Sequence, residues 1–336
     1  MRITLCEFGT AMKKTVLRLI EKSGGLALAR AMTARMSRIL MYHNFSAAGS
    51  DTDAIDAFEL RRQLAYLRRH FQVVPLTQIF EQLKRGAPLD RLTVAVTVDD
   101  GRRNCYEILF PLLKEFEIPA TIFVVTSFVR GEDWIWTDKV LWLSEQPLRP
   151  VEFSAGEIES LFGRLNQLRP EARNAFIADT AARMGVSIPG EAPPRYAACS
   201  WSELCEMASS GLVEIGSHTM THPILASITE EESWRELSVS RAQIEEALER
   251  PVQSFCFPNG KPGDYRPSQV QQVIDAGYAG AVVADFGMVT NRADPYQLPR
   301  LGVSGRSDPL AFSKNVDGAE YYQIKLQTSL RLCKTP

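Results

Sequence analysis

Two histidines with three residues between them are the first candidates for chemistry in this chain. His218 and His222 form an H-x-x-x-H pattern in the segment EIGSHTMTHPIL. On a helix or in a tight turn, this spacing places two imidazole rings on the same side. Two neutral imidazoles and one carboxylate can bind Zn²⁺ and leave a position open for water. The pattern alone is a weak signal, because structural histidines can share this spacing and Thr219 occupies the glutamate position of the H-E-x-x-H zinc proteases.

An adjacent pair of acids supplies the missing carboxylate. Asp99 and Asp100 directly follow LTVAVTV (92–98), whose β-branched residues predict a strand. Burying two carboxylates is costly unless a positive charge compensates, and a metal ion would do so. In a turn the two side chains point in different directions, so one can bind the metal while the other faces an attacking water. The alternative is an exposed Asp-Asp-Gly turn, which is a common surface feature.

Strands and helices alternate around these residues from residue 38 onward. Short apolar runs predict buried strands at 38–42, 92–98, 120–125, 212–217, 254–257, 281–284 and 298–303. Periodic apolar positions and capping residues predict helices at 55–71, 77–86, 104–116, 201–210, 268–276 and from Thr229 onward. In the first helix the apolar stripe comprises Phe58, Leu60, Leu64, Leu67 and Phe71. Seven or eight such units predict an α/β barrel with a parallel sheet, and the polar clusters that follow the strands meet at its carboxyl-terminal rim.

The alternation stops between about residues 130 and 200, which indicates a mostly helical insertion. We therefore expect an N-terminal helical arm at 1–37, a barrel at 38–305 that carries this insertion, and a C-terminal extension at 306–336. Trp134 and Trp136 in the insertion could stack on sugar rings, although such residues more often fill a core. Asp138, in the piece Trp136-Thr137-Asp138, is undecided between the same two interpretations, a functional and a structural one.

Composition narrows the class of partner and the cellular compartment. The net charge of −2 gives no bulk basic character for nucleic-acid binding, and six scattered cysteines indicate free thiols in a reducing compartment. The sequence lacks a secretory signal pattern, so we expect a cytoplasmic protein. Residues 11–36 are basic and interleaved with apolar residues, and such a stretch could contact the inner face of a membrane. A helix packed on the barrel or a loose arm is the favoured alternative, because Gly24 and Gly25 interrupt the helix.

Three motifs in one order resemble the polysaccharide deacetylase family, which is carbohydrate esterase family 4 with its NodB homology domain. They are TVDDG (97–101), SHTMTH (217–222) and FPNG (257–260). The resemblance covers residues 38 to about 303. It implies an irregular (β/α)7-type barrel and a hydrolase that acts on a non-peptide carbon–nitrogen bond.

The resemblance also implies a role for each matching residue. One divalent metal ion, most commonly Zn²⁺, would be held by Asp100, His218 and His222. Asp99 would act as the general base that takes a proton from the attacking water. A backbone N–H in the segment Pro258-Asn259-Gly260 would stabilise the oxyanion together with the metal.

The sequence departs from the family pattern at two positions. Cys256 stands where many members have an arginine that orients the base, so Arg300 is our candidate for that role, with ordinary salt bridging as the alternative. No histidine follows His222, although many members take the general acid from a late histidine. The piece MYHN (41–44) resembles a permuted branch that acts on poly-N-acetylglucosamine and related exopolysaccharides. We therefore predict that His43 is the general acid, and the alternative is a structural histidine.

The expected function is metal-dependent N-deacetylation. The substrate would be the acetamide of an N-acetylated amino sugar in a polysaccharide or its precursor, and hydrolysis would release acetate. The reaction would belong to exopolysaccharide biosynthesis. A cytoplasmic location would suit a precursor at the inner membrane face. Two alternatives remain open: a metal-dependent hydrolase of a small non-sugar amide, and a non-catalytic carbohydrate-binding relative.

Overall fold

Seven parallel strands form a closed barrel in the computed structural model, which describes residues 24–47, 54–154, 156–303 and 309–332. The strands of the ring are β1 (Arg38–Tyr42), β5 (Thr93–Val98), β6 (Ala120–Val124), β7 (Val213–Ser217), β8 (Ser254–Cys256), β9 (Gly280–Phe286) and β10 (Leu298–Gly302). Pairing of β1 with both β5 and β10 closes the ring. The predicted (β/α)7-type barrel is confirmed.

Three short strands lie outside the ring. β2 (Phe45–Ser46) and β3 (Ile55–Asp56) pair with each other, and β4 (Gln72–Val73) pairs with the first residues of β5. The described helices are α1 (Gly25–Met32), α2 (Ala57–His70), α3 (Leu76–Lys84), α4 (Phe110–Phe116), α5 (Thr126–Val129), α6 (Trp136–Ser144), α7 (Ile158–Leu165), α8 (Pro170–Arg183), α9 (Trp201–Ser209), α10 (Glu230–Leu248), α11 (Pro267–Asp275), α12 (Pro309–Val316) and α13 (Ala319–Leu332). The predicted helix at 104–116 begins with a π-helical turn at Cys105–Leu109.

The strands are buried on both faces, which explains their unbroken apolar sequences. In β5 every residue is buried. Val94, Val96 and Val98 belong to the core shared with the surrounding helices, whereas Ala95 points to the other side and packs in a second core with Phe80 of α3. Because neighbouring side chains of a strand alternate between its faces, the second core fills the inside of the barrel.

Helix α2 forms where the apolar stripe predicted it, with one exception. Asp56 caps its first turn by accepting a hydrogen bond from the backbone N–H of Glu59, and Leu60, Leu64 and Leu67 are buried. Phe58 was expected in the stripe, but its side chain is 72% exposed. The prediction fails for Phe58 because it lies two residues before Leu60, about 200° away around a helix with 3.6 residues per turn.

The insertion has an apolar core of its own. Residues of α6, α7 and α8 pack together there, including Val140, Leu161 and Ile177. The predicted helical character of the segment is therefore confirmed.

The N-terminal arm is only partly described, since residues 1–23 lie outside the described ranges. Its described helix α1 exposes Leu28 and Met32, and Arg30 lies near Asp317. Across the described ranges, no helix combines the length and apolarity that crossing a membrane requires. Peripheral membrane contact through 11–36, like the domain boundaries, stays a prediction.

Candidate active site

The two adjacent acids follow β5 and are both buried, Asp99 at 3% and Asp100 at 5% exposure. Asp99 forms a two-pronged ion pair with Arg300 of β10, with Nη1–Oδ1 and Nη2–Oδ2 distances of 2.7 Å each. Burial raises the pKa of Asp99, but the Arg300 guanidinium outweighs burial and holds this pKa below its ordinary value. Asp99 is therefore an ionised carboxylate at neutral pH, and Arg300 lies where the sequence hypothesis placed the residue that orients the base.

Asp100 faces the two histidines that follow β7. Its Oδ1 lies 3.8 Å from Nε2 of His218 and 3.8 Å from Nε2 of His222. The two Nε2 atoms are 3.2 Å apart. All three side chains are buried, and their ligand atoms lie within 4.8 Å of one another. The structure thus brings Asp100 together with two histidines that lie more than a hundred positions later in the chain.

The donor set fits a divalent metal ion. Nδ1 of His218 lies 2.8 Å from the Cys256 carbonyl oxygen, so Nδ1 carries the proton and Nε2 presents a lone pair to the cluster. Burial lowers the pKa of His218, and burial together with His218 lowers that of His222 to about 3, so both rings are neutral at pH 7. Two imidazole nitrogens 3.2 Å apart match bonds of about 2.0–2.1 Å to one tetrahedral Zn²⁺.

The loop that carries the histidines is fixed by a buried acid behind it. Glu236 of α10 accepts hydrogen bonds from the backbone N–H groups of Met220 and Thr221 at 2.8 Å each. His222 then reaches the cluster with a positive φ of 58°. Asp100 (φ 75°), Thr219 (φ 69°) and Asn259 (φ 58°) are also left-handed, so four non-glycine residues around the rim adopt this rare conformation.

His43 and the 258–260 segment complete the rim. His43 follows β1, its side chain is 46% exposed, and its Nε2 lies 3.6 Å from Oδ2 of Asp99. Asn259 lines the same cavity as these residues. The backbone N–H of Gly260 already donates to the Pro258 carbonyl. The N–H of Asn259 is therefore the better candidate for the oxyanion role within this segment.

The site opens into a cavity of about 580 Å³. The insertion supplies part of its wall through Trp136 of α6, Phe162 of α7 and Asn166, which directly follows α7. Trp136 is only 4% exposed, and its indole N–H donates to the carbonyl of His222. Trp134 packs against Tyr196 in a separate apolar core. The core interpretation therefore suits Trp134, whereas Trp136 both fills a core and borders the cavity.

The sequence reasoning missed Arg102 and left Asp138 undecided, and both charged residues lie beside the site. Arg102 and Asp138 are buried, and Nη2 of Arg102 lies 3.2 Å from Oδ2 of Asp100 and 2.5 Å from Oδ1 of Asp138. The position of Arg102 directly after the Asp-Asp-Gly turn was the available signal. Nothing local in the sequence connects Asp138 with the site.

Fold and site together define a parallel β/α barrel with a candidate metal centre at its carboxyl-terminal rim. The chain belongs to the polysaccharide deacetylase family, because the model of that family matches residues 86–281.

This chain is similar to a curated deacetylase in sequence and to two solved structures in fold. The poly-β-1,6-N-acetyl-D-glucosamine N-deacetylase of Escherichia coli K12 is 26% identical over 183 residues, which cover 54% of this chain but only 20% of that protein. The match therefore spans a small part of its curated relative. Among solved structures, the Streptococcus pyogenes deacetylase PplD in complex with acetate has a TM-score of 0.59 at 16% identity and covers 84% of this chain and 99% of its own. IcaB from Ammonifex degensii has a TM-score of 0.57 at 21% identity and covers 84% of this chain and 97% of its own. At these identities the two structures support the fold.

Proposed function

We propose that the protein is a metal-dependent N-deacetylase that hydrolyses the acetamide of an N-acetylated amino sugar in a polysaccharide or its precursor. One observation carries the proposal: Asp100, His218 and His222 converge on one point, while Asp99, a second buried carboxylate that also lies near His218, is paired with Arg300. The description of the Escherichia coli relative as a poly-β-1,6-N-acetyl-D-glucosamine N-deacetylase supports the choice of an N-acetylated amino sugar.

In this proposal Asp100, His218 and His222 hold the ion. A bound Zn²⁺ would supply Lewis-acid chemistry, namely polarisation of the acetyl carbonyl and activation of a water molecule. Asp99 accepts the proton of the attacking water, which requires that this carboxylate is ionised at neutral pH, as its lowered pKa indicates. Arg300 holds both oxygens of Asp99 and so fixes the direction of its lone pairs.

His43 and Asn259 take the remaining steps. The backbone N–H of Asn259 donates to the oxyanion that forms on the acetyl carbonyl oxygen. The exposed ring of His43, 3.6 Å from Asp99 and open to the cavity, donates a proton to the leaving sugar nitrogen. The carbon–nitrogen bond then breaks to release acetate and a free amine.

The first test removes the base and leaves the metal ligands intact. Asp99→Asn should lower acetate release from β-1,6-linked N-acetylglucosamine oligomers by about 10²–10⁴-fold, the usual contribution of a general base. Bound zinc, measured by elemental analysis, should stay at the wild-type level. Asp317→Asn is the matched control, because Asp317 is a buried acid that contacts α1 and α2 rather than the cavity.

Three results would contradict the proposal. Wild-type acetate release by Asp99→Asn would rule out Asp99 as the base. Absence of divalent metal from the purified wild-type protein would rule out the metal centre. Zinc binding at the wild-type level in His218→Ala would rule it out as well. Activity on small acyclic or heterocyclic amides with none on the oligosaccharides would favour the non-sugar hydrolase instead.

A further inference from the structure

The two oxygens of Asp100 have different partners. Oδ1 faces His218 and His222, whereas Oδ2 lies 3.2 Å from Nη2 of Arg102. A carboxylate held on one oxygen by a cation cannot rotate freely about its last bond. The contact with Arg102 therefore determines which oxygen is presented to the imidazoles.

Arg102 is in turn held by the insertion from two sides. Its Nη2 lies 2.5 Å from Oδ1 of Asp138, which is fully buried in α6. On the main-chain side, Arg102 forms an isolated antiparallel bridge with Ala198, and its carbonyl accepts a bond from the Cys199 thiol. The beginning and the end of the insertion thus converge on the residue that contacts Asp100.

The burial of this pair needs an explanation other than stability. Arg102 is 7% and Asp138 0% exposed. Burial raises the pKa of Asp138 to about 7 even beside Arg102, so keeping this carboxylate charged is costly. A buried ion pair is often no more stabilising than apolar residues of the same size. Its placement against a proposed metal ligand, by contrast, has a direct consequence. Partners that orient metal ligands through hydrogen bonds typically contribute about 10–100-fold to metal affinity.

We propose that Asp138, acting through Arg102, is a positioning residue that keeps Oδ1 of Asp100 turned toward the histidines. The inserted helical segment thereby sets the metal affinity of the barrel. This inference rests on the metal centre of the proposed function.

The experiment measures zinc affinity by competition with a chromophoric chelator, independently of turnover. Asp138→Asn and Arg102→Met should each weaken zinc binding by about 10–100-fold. Arg102→Lys should recover most of the affinity, because a single nitrogen of Arg102 makes both contacts and an ammonium group can replace it. Asp133→Asn is the matched control: it makes the same acid-to-amide change on the rim of the same segment, where Asp133 pairs with Lys139, and should leave affinity unchanged.

A second readout is the visible spectrum of the Co²⁺-substituted protein, which reports the ligand geometry. It should change in Asp138→Asn and Arg102→Met and return toward wild type in Arg102→Lys.

The outcomes separate this inference from the proposed function. Wild-type zinc affinity in folded Asp138→Asn overturns the inference and leaves the metal centre intact. If Asp138→Asn does not fold, equal affinities of Arg102→Met and Arg102→Lys overturn it. Absence of metal binding in the wild-type protein defeats the proposed function itself.

Discussion

Replacing Arg300 by methionine tests how the barrel keeps a buried carboxylate charged. The Arg300 side chain is 1% exposed, and its guanidinium donates to both oxygens of Asp99, to the carbonyl of Val283, to the Thr97 hydroxyl and to the Cys256 thiol. Methionine fills a similar volume without the charge. Asp99 is then left buried with no partner that matches its two oxygens.

The expected loss of stability is large. Removing one partner of a buried ion pair costs about 3–5 kcal/mol, because the remaining charge has lost its compensation. Urea unfolding of the metal-free protein measures this loss. The double variant Asp99→Asn with Arg300→Met should lose clearly less than the sum of the two single variants, since no uncompensated charge remains in it.

The same change should move the pH dependence of catalysis. Without Arg300, burial raises the pKa of Asp99, and only the smaller effects of His43 and His218 oppose it. The acid limb of kcat/KM should therefore shift to higher pH, with a tenfold loss for each unit by which the pKa exceeds the assay pH. Arg38→Met is the control: Arg38 is also fully buried but bonds the carbonyls of Thr33, Met36 and Val316. Arg38→Met should lose stability without shifting the acid limb.

Two results would refute this reasoning. If Arg300→Met unfolds at the wild-type urea midpoint, the substitution leaves no uncompensated charge on buried Asp99. An unchanged acid limb, in a variant that is otherwise destabilised, would mean that Arg300 does not act on the catalytic base.

Two further changes test the site and the turn beneath it. Burial lowers the pKa of His222 to about 3 in the folded protein, whereas its pKa in the unfolded chain is about 6.5. At a pH between these two values, the unfolded chain binds a proton at His222 and the folded protein does not. Stability of the metal-free protein should therefore fall by about 1 kcal/mol between about pH 7 and about pH 5.5 from this residue. Urea unfolding should show a smaller pH slope in His222→Asn, and an unchanged slope would contradict the assignment. Gly101→Ala should destabilise by about 1–3 kcal/mol, because its φ is +69° and a Cβ would lie 2.8 Å from Cγ1 of Val124. Gly86→Ala, with φ +62° and open space around the added Cβ, should lose less stability than Gly101→Ala in urea unfolding.

The sequence predicted the parts of the site that follow from strand order. Asp99 and His218 directly follow β5 and β7, and the carboxyl ends of parallel strands in a barrel share one rim. Their convergence therefore needed no knowledge of side-chain geometry. The pairing of Arg300 with Asp99 was expected as a substitute for the arginine that Cys256 displaces, and the structure brings the two side chains into contact.

Other features could not be read from the chain in this way. Asp138 lies 36 residues after Arg102 within an insertion whose path over the barrel no periodic pattern specifies. Phe162 of α7 and Asn166, which follows α7, line the cavity, and their place there could not be predicted for the same reason. Which nitrogen of His218 carries the proton depends on the carbonyl of Cys256 in a neighbouring strand. Phe58 is exposed because apolar character alone does not place a residue on the buried face of a helix.

The four left-handed residues at the rim have a consequence for how the site forms. A non-glycine residue in this conformation costs roughly 1 kcal/mol relative to its ordinary backbone states, so a free peptide of the same sequence would favour other shapes. Asp100, Thr219, His222 and Asn259 adopt it only because the surrounding barrel imposes it. We infer that the proposed metal ligands are not correctly arranged in the isolated chain segments and take up their positions only when the barrel closes. Metal affinity and folding cooperativity therefore both depend on closure of the barrel.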